Sequence, residues 1–412
     1  MAKNKQNWGQ TPWATSFRAH EKDLPEHVDF AVVGGGFTGL SAAASLARLA
    51  PKKSVLLLEA ESIGNGASGR TGGMALAQTA AGDLPGLGDV LGNYRRILSE
   101  FGVEADLELP GVWEVARGEK SMEGEKVQPL KHSPIEWSDS GRVRVVGRVP
   151  GGTVDPGKVV SGLARAAVKF GAHIVERAKV ARIEFSDPVR LHVERRVRDR
   201  MERRMVSAER VLLATNAGSR ELGGRLYQAK ESAEPRLTFA IATAPLRKRQ
   251  ITSLGMDSGR PFYTVDVPYL WGRLLKNGGM IFGSGLLPAL GEWLRGDAKK
   301  RRSTNLRVKK LWSGLEEFDV QKGEAAARLR SLEQRVRHLH PALEKIRITH
   351  RWAGPIMITD KFMTVFRQHP ESGQVIVLGG YSGHGVALSV YLGHWAAQVL
   401  LSRRELPRWP SL

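Results

Sequence analysis

Val28-Asp29-Phe30-Ala31-Val32-Val33-Gly34-Gly35-Gly36-Phe37-Thr38-Gly39 is the stretch on which the reading of this 412-residue chain turns. Apolar and β-branched residues up to Val33 predict a buried strand, and the glycines break it into a tight turn. Leu40 to Ala50, rich in alanine, leucine and serine, predicts a helix packed closely on a sheet and ended near Pro51. Ser54 to Leu58 then reads as a second buried strand that closes at Glu59. Strand, helix and strand in this order make a βαβ unit with parallel strands.

Gly34, Gly36 and Gly39 occupy the three positions of a dinucleotide-binding fingerprint. The first permits the tight turn, the second lets backbone amides approach a pyrophosphate, and the third lets the helix sit against the strand with its N-terminus facing the phosphates. Glu59 lies twenty residues beyond Gly39. From the end of the second strand its carboxylate accepts both ribose hydroxyls and repels a 2′-phosphate.

Outward from this unit, small residues dominate Gly64 to Gly73, and Leu91 to Leu107 predicts a helix. Val154 to Phe170 predicts another, started at Asp155-Pro156. Strands follow at His173 to Glu176, Val180 to Phe185 and Val206 to Thr215. Leu237 to Leu287 reads as strands, with a hairpin turn at Asn277-Gly278. Helical periodicity returns over Asn305 to Leu315 and Ala325 to His338. The tail predicts a strand at Gln374 to Leu378, a turn at Gly379-Gly380 and a helix from Gly385 to Leu401.

The fold class is therefore α/β: a discontinuous Rossmann-like dinucleotide-binding domain over 1–95, 146–226 and 346–412, with a second mixed-sheet substrate domain over 96–145 and 227–345. No internal repeat is present.

The chain has no cysteine, which removes disulfides, Cys-ligated zinc, iron-sulfur clusters and a cysteine nucleophile. Redox chemistry must come from a bound cofactor. His338 and His340 lack a matching ligand set for zinc, and no G-x-S-x-G nucleophile motif occurs. Met1 to Phe17 is polar, with Trp8 and Trp13 and no apolar core behind its lysines. The apolar runs around Val375 to Leu378 and Ala396 to Leu401 fall short of the roughly 20 residues that span a bilayer. A soluble, cytoplasmic protein is expected.

With 62 Lys plus Arg against 42 Asp plus Glu, the formal charge is +20. The excess is concentrated in Arg190 to Arg210, a charged hairpin with its tip near Arg198, in Lys299 to Lys310, and in Arg247-Lys248-Arg249. Such clusters can attract nucleic acid, an anionic membrane or an acidic partner. The plainer reading is a solvated basic surface, because neither large cluster interleaves the aromatics of a single-strand stacking platform.

Three separated motifs carry a family resemblance: Val33 to Gly39 with Glu59; Gly66-Ala67-Ser68-Gly69-Arg70-Thr71-Gly72-Gly73; and Gly379-Gly380-Tyr381-Ser382-Gly383-His384-Gly385. In them the chain resembles FAD-dependent oxidoreductases of the D-amino acid oxidase family, the group that includes glycine oxidase, sarcosine oxidase and gamma-glutamylputrescine oxidase. The second motif is most similar to the gamma-glutamylputrescine oxidase-like branch. The resemblance implies non-covalent FAD held by Gly34, Gly36, Phe37, Thr38, Gly39, Glu59 and Ala60. It adds Gly66, Ala67, Ser68, Arg70, Gly72, Gly73 and Met74, then Val180 through its backbone, Thr215 and Gly218, and finally Gly380, Tyr381, Gly383, His384 and Gly385. Gly383 to Gly385 would open the last helix at the pyrimidine edge of the flavin, where reduction builds negative charge.

For the substrate side, a strand Tyr269 to Arg273 would put Tyr269, Trp271 and Arg273 on one face. Tyr263, Trp352 and His384 are further candidates for the wall. Glycine oxidase-like relatives place a carboxylate-binding arginine where this chain reads Trp352-Ala353-Gly354-Pro355. Sarcosine oxidase uses one where this chain has Met74 and Ala75. Ile281 stands in the place of the oxygen-activating lysine of sarcosine oxidase, so the electron acceptor is dioxygen or another molecule. Lys361-Phe362-Met363 replaces the proline usual after Asp360.

The expected function is oxidative deamination of a small-molecule amine or amino acid derivative by hydride transfer to flavin N5, followed by imine hydrolysis. Two rivals are a flavoenzyme acting on a modified amine in RNA, which the charge favours, and a non-enzymatic flavin-containing interaction protein.

Overall fold

A computed structural model of the protein describes residues 6–20, 23–197, 200–218, 222, 233–285 and 318–409. The expected helix over Asn305 to Leu315, the Lys299 to Lys310 cluster and Arg198 lie outside the described residues. The chain divides into two compact units. One comprises 13–107, 154–235 and 355–412, and the other 1–12, 108–153 and 236–354.

The first unit is built on a largely parallel sheet ordered Val365–His369, Ser372–Gly379, Arg200–Leu213, His27–Val33, Val55–Leu58, His173–Val175. His27–Val33 runs parallel to both neighbours, with Val32 opposite Leu57 on one side and Leu212 on the other. Strands buried on both faces read as continuous apolar runs, and all four residues from Val55 to Leu58 are buried. Val189–Val197 folds back on Arg200–Leu213 as an antiparallel hairpin, and Ala178–Glu184 pairs beyond it. The core of this face gathers Val28, Ala31, Val33, Leu56, Val211 and Val375.

The opening helix spans Phe37–Leu49. It starts at Phe37 rather than Leu40 because Thr38 and Gly39 already form its first turn. The helix expected over Leu91 to Leu107 ends at Glu100. Gly102 takes φ +65 there, and the amides of Gly102 and Val103 bond back to the Ser99 and Leu98 carbonyls, a glycine-terminated C-cap. Pro156–Lys169 starts as expected, with the Asp155 carboxylate accepting from the Lys158 amide at 2.9 Å. The closing helix spans Gly385–Leu400. Where it crosses the opening helix, a Cβ on Gly393 would come 2.3 Å from the Thr38 carbonyl oxygen, so the backbones touch.

The second unit holds a mixed sheet ordered Ile348–Ile358, Glu234–Thr243, Met280–Ser284, Trp271–Leu274, Phe262–Thr264, Val112–Ala116, Arg142–Val149, Glu136–Ser138. Phe262–Thr264 runs parallel to Val112–Ala116, while Trp271–Leu274 and Met280–Ser284 form an antiparallel hairpin around Asn277 and Gly278. Gly278 takes φ +81 in that turn. Its core packs Trp137 edge-on against Phe262 at 4.8 Å, and Leu329, Leu332 and Val336 of the helix Gly323–Leu339 join it. Among the described residues no helix is long and apolar enough to cross a membrane.

Candidate cofactor and active site

The turn after Val33 owes its shape to two glycines. Gly34 takes φ +110, and a Cβ there would lie 2.7 Å from the Ala214 carbonyl oxygen and 3.2 Å from the Thr215 nitrogen. A Cβ on Gly39 would come 1.9 Å from the Gly34 carbonyl oxygen, so only glycine lets the helix start this close to its own turn. The opening helix carries no acidic residue in its first turn, and Gly36 offers no side-chain cap. The Phe37 amide instead donates to Ser68 Oγ at 2.9 Å, which brings the second glycine-rich segment onto this helix end.

Glu59 is fixed by the same turn. Oε2 accepts from the Gly35 amide at 2.7 Å and Oε1 from the Glu61 amide at 2.9 Å. Burial raises its pKa, and these two amide hydrogen bonds oppose the rise. Each carboxylate oxygen keeps a further lone pair for a ribose hydroxyl. Ala60, next to it, is exposed. The Glu59 carbonyl accepts from Ala178 at 2.9 Å, which sets the strand that carries buried Val180.

In the second segment, Gly64 takes φ +72, and a Cβ on Gly69 would lie 2.3 Å from the Gly64 carbonyl oxygen. Arg70 donates to Asn65 Oδ1 at 2.9 Å and to the Gly66 carbonyl at 3.2 Å. Burial lowers its pKa to about 10, so it stays cationic at neutral pH. Gly66 is exposed, and no atom lies within 4 Å of where its Cβ would be, which leaves open space over the backbone beside Ala67 and Ser68. Gly72 and Gly73 are buried, the Gly73 carbonyl accepts from Val154 at 2.8 Å, and Met74 opens a short strand.

The third segment winds through left-handed backbone at Gly380, Ser382 and Gly383 (φ +70, +48 and +92). The Gly380 amide donates to Asn216 Oδ1 at 3.0 Å, beside the short turn Asn216–Gly218. Thr38 Oγ1 and the Tyr381 hydroxyl are 2.7 Å apart. His384 caps the closing helix through its backbone without a side-chain cap bond, and no acid stands in the first turn that begins at Gly385. Burial lowers the His384 pKa to about 4, against the Ser382 backbone, so its imidazole is neutral at physiological pH. Contacts within one unit thus join the Gly34 turn to Thr215, Gly36 to Ser68, and Thr38 to Tyr381. A flat cofactor with a pyrophosphate fits this set: a glycine backbone open on one side, two helix N-termini without acids, a fixed carboxylate and a half-buried guanidinium.

The remaining candidates belong to the other unit. The Tyr263 hydroxyl donates to Glu114 Oε1 at 2.7 Å, and burial followed by this carboxylate pushes its pKa up, so the phenol stays neutral. The strand expected from Tyr269 starts at Trp271. Tyr269 lies outside it because its carbonyl accepts from two side chains, Arg335 at 3.0 Å and Ser284 Oγ at 3.1 Å, rather than from a backbone amide of the ladder. Burial raises the Tyr269 pKa as well. Trp271 and Arg273 share a face of the strand. The Trp271 indole fills the space above Gly283, where a Cβ would lie 2.0 Å from Cζ2, and Arg273 is buried. Trp352 is 1% exposed and bridges Gly9, so it is an interior residue of this unit.

Several residues that shape these sites carried no signal in the sequence. Arg117 and Arg335 both hold the Pro268 carbonyl, at 2.8 and 2.7 Å, and both pair with Asp139. Burial would raise the Asp139 pKa, and the two guanidiniums outweigh it and hold the carboxyl below its usual range. Asn216, with φ +45, was open to notice as one of the few side chains that tolerate left-handed backbone. Among the described residues no three His, Asp or Glu side chains are grouped to hold a metal ion.

A dinucleotide-binding unit with three glycine segments, joined in one chain to a mixed-sheet unit, defines a cofactor-dependent oxidoreductase architecture. The chain belongs to the FAD dependent oxidoreductase (DAO) family, whose model matches residues 29–399, and FAD is its cofactor. It is 26% identical to a probable oxidoreductase, OrdL, of Rhizobium meliloti, over 98% of this chain and 94% of that one. It is 24% identical to the gamma-glutamylputrescine oxidoreductase of Escherichia coli, over 93% and 87%. Its fold is similar to that of glycine oxidase from Geobacillus kaustophilus, with a TM-score of 0.67, 19% identity and coverage of 92% and 96%. It is also similar to L-amino acid deaminase from Proteus myxofaciens, with a TM-score of 0.66, 15% identity and coverage of 97% and 96%.

Proposed function

We propose that this FAD-dependent oxidoreductase oxidises a primary or secondary amine or an amino acid derivative. Bound FAD would supply the acceptor for a hydride from the α-carbon while the nitrogen lone pair completes the C=N bond; the imine would then be hydrolysed by water to a carbonyl compound, with ammonia released from a primary amine or the shortened amine from a secondary one. The reading is supported above all by the N-terminus of the closing helix, which carries no acid in its first turn and is capped by a neutral histidine. Such an end presents amide donors and a positive dipole to charge that develops on reduction. Glu59 would hold the ribose, and the Gly36 and Phe37 backbone with Ser68 and Arg70 would orient the pyrophosphate and ring.

The substrate roles of Tyr263, Tyr269, Arg273, Trp352 and His384 belong to this proposal. Two phenols kept neutral by burial suit the uncharged amine, the form whose lone pair assists hydride loss. Arg273 is assigned to a carboxylate or carbonyl at some distance from the amine. Relatives named for gamma-glutamylputrescine, glycine and L-amino acids all handle a carbon bearing an amine, which supports the class without choosing among its members.

The test is an anaerobic titration of the yellow protein with a panel of amines. Primary or secondary amines with a distant carboxylate should bleach the flavin faster than glycine, sarcosine or D-alanine, and Arg273→Ala should slow them. A preference for small α-amino acids, undiminished by Arg273→Ala, would sink the substrate assignment. Acid precipitation of the same protein should release the flavin into the supernatant, because the chain has no cysteine to tether it; colour retained in the pellet would show a covalent link.

A further inference from the structure

The hairpin of Val189–Val197 and Arg200–Leu213 turns one face to the core through Val189, Leu191, Val193 and Val206. Strand alternation sends their neighbours to the opposite face. There Arg196 stands across from Met201, Glu194 from Arg203, and His192 from Met205. Met201 and Met205 are 57% and 51% exposed, the two most exposed large hydrophobic side chains among the described residues.

The surroundings of the methionines are cationic. The neighbouring strand extends the face with Arg182 opposite His192 and Lys179 opposite Glu194. The Arg203, Arg182 and Arg190 side chains are 86%, 63% and 51% exposed. Glu184 and Glu194 are paired within the face, Glu184 to Arg182, His192 and, at 3.8 Å, Arg190, and Glu194 to Arg203. Five cations, Lys179, Arg182, Arg190, Arg196 and Arg203, outnumber these two carboxylates.

Two exposed methionines on one strand face, separated by Arg203 and flanked by further cationic side chains, call for a partner that offers both an apolar phase and phosphates. We propose that this face docks the protein on an anionic lipid bilayer. Met201 and Met205 enter the boundary between headgroups and acyl chains, and Arg190, Arg196 and Arg203 meet headgroup phosphates. Nucleic acid supplies phosphates without an apolar phase, and the face lacks the Phe, Tyr or Trp platform on which bases stack.

The experiment is co-sedimentation of the full-length holoprotein with vesicles of phosphatidylcholine containing phosphatidylserine, and with vesicles of phosphatidylcholine alone. Binding is expected to the mixed vesicles only, weakened by added salt. Met201→Ser with Met205→Ser should reduce it about tenfold or more, with flavin content, melting temperature and amine-driven flavin reduction unchanged. Arg196→Gln with Arg203→Gln should do the same, which keeps the test open if the methionine variant yields no folded protein. Leu130→Ser with Val168→Ser, removing exposed apolar side chains elsewhere, should leave binding intact. The proposal fails if anionic vesicles do not pellet the protein, if neutral vesicles pellet it equally, or if the methionine variant binds undiminished. It also fails if single-stranded RNA binds more tightly than the mixed vesicles.

Discussion

The Thr38 and Tyr381 hydroxyls lie 2.7 Å apart in the buried interior of the cofactor-binding unit, joining side chains 343 positions apart in the chain. Thr38 sits in the first turn of the opening helix and Tyr381 in the glycine turn before the closing helix. The bond therefore ties the two helix ends assigned to the cofactor to one another.

Tyr381→Phe should cost about 1–3 kcal/mol, because it leaves the buried Thr38 hydroxyl without this partner. Thr38→Val should cost a similar amount. The double variant should lose less than the sum, since both halves of the polar pair are then gone. Urea unfolding of the four proteins checks this, and strict additivity would show that the two hydroxyls do not interact.

Glu59→Ala should weaken FAD binding by about 1.5–3 kcal/mol, the range for a hydrogen bond to a charged group. The same change strips the Gly35 and Glu61 amides of their acceptor, so the apoprotein should also melt earlier. Flavin fluorescence titration of the apoprotein measures the first effect, and unchanged affinity would mean that the ribose lies elsewhere.

Two glycines make opposite predictions for the fold. Gly39→Ala drives a methyl group to 1.9 Å from the Gly34 carbonyl oxygen and should destabilise by more than about 4 kcal/mol, giving little folded protein. Gly66→Ala meets open space and should leave the melting temperature of the apoprotein unchanged while lowering its FAD affinity. Unaltered affinity in Gly66→Ala would separate this loop from the cofactor.

Acid should loosen the closing helix. His384 and His394 both have pKa values pushed down to about 4, by burial above all and, for His394, also by the nearby Arg96 charge. His394 is held neutral between Ser45 Oγ at 2.9 Å and the Gln398 amide at 3.3 Å. The unfolded chain takes up these protons near pH 6.5 and the folded chain does not. Stability is therefore full above pH 6.5 and falls as the pH drops toward 4, by about 2–3 kcal/mol per histidine at most. Unfolding free energies between pH 7 and 4.5 should show the slope, and His394→Gln should flatten it.

Much of the cofactor-binding unit was legible because its signals are local. The run Val28 to Val33 needs only its own side chains to be a buried strand, and Asp155-Pro156 starts a helix through a carboxylate three residues from the amide it caps. Apolar residues at Val103, Ala105 and Leu107 carry the helical signal past the true end at Glu100, because Gly102 has already turned the backbone left-handed while the pattern of residue types runs on. Tyr269 departs from expectation for a similar reason: alternation predicts a strand face, but hydrogen bonds from Arg335 and Ser284 draw its carbonyl out of the ladder.

The sequence by itself determined the βαβ unit, the glycine turn, the carboxylate at Glu59 and the absence of thiol chemistry, because each depends on residue type and on spacing within a few turns of chain. Only the tertiary structure decided that Ser68 caps the opening helix, that Asn216 holds the Gly380 amide, that Arg117 and Arg335 share Asp139, and that Met201 and Met205 emerge on one cationic face. These pairings depend on strand order, register and the crossing of helices. A periodic pattern states which face of an element is apolar; it does not state which distant element will cover that face, and the free energy that selects the partner arises only when the two surfaces meet and exclude water.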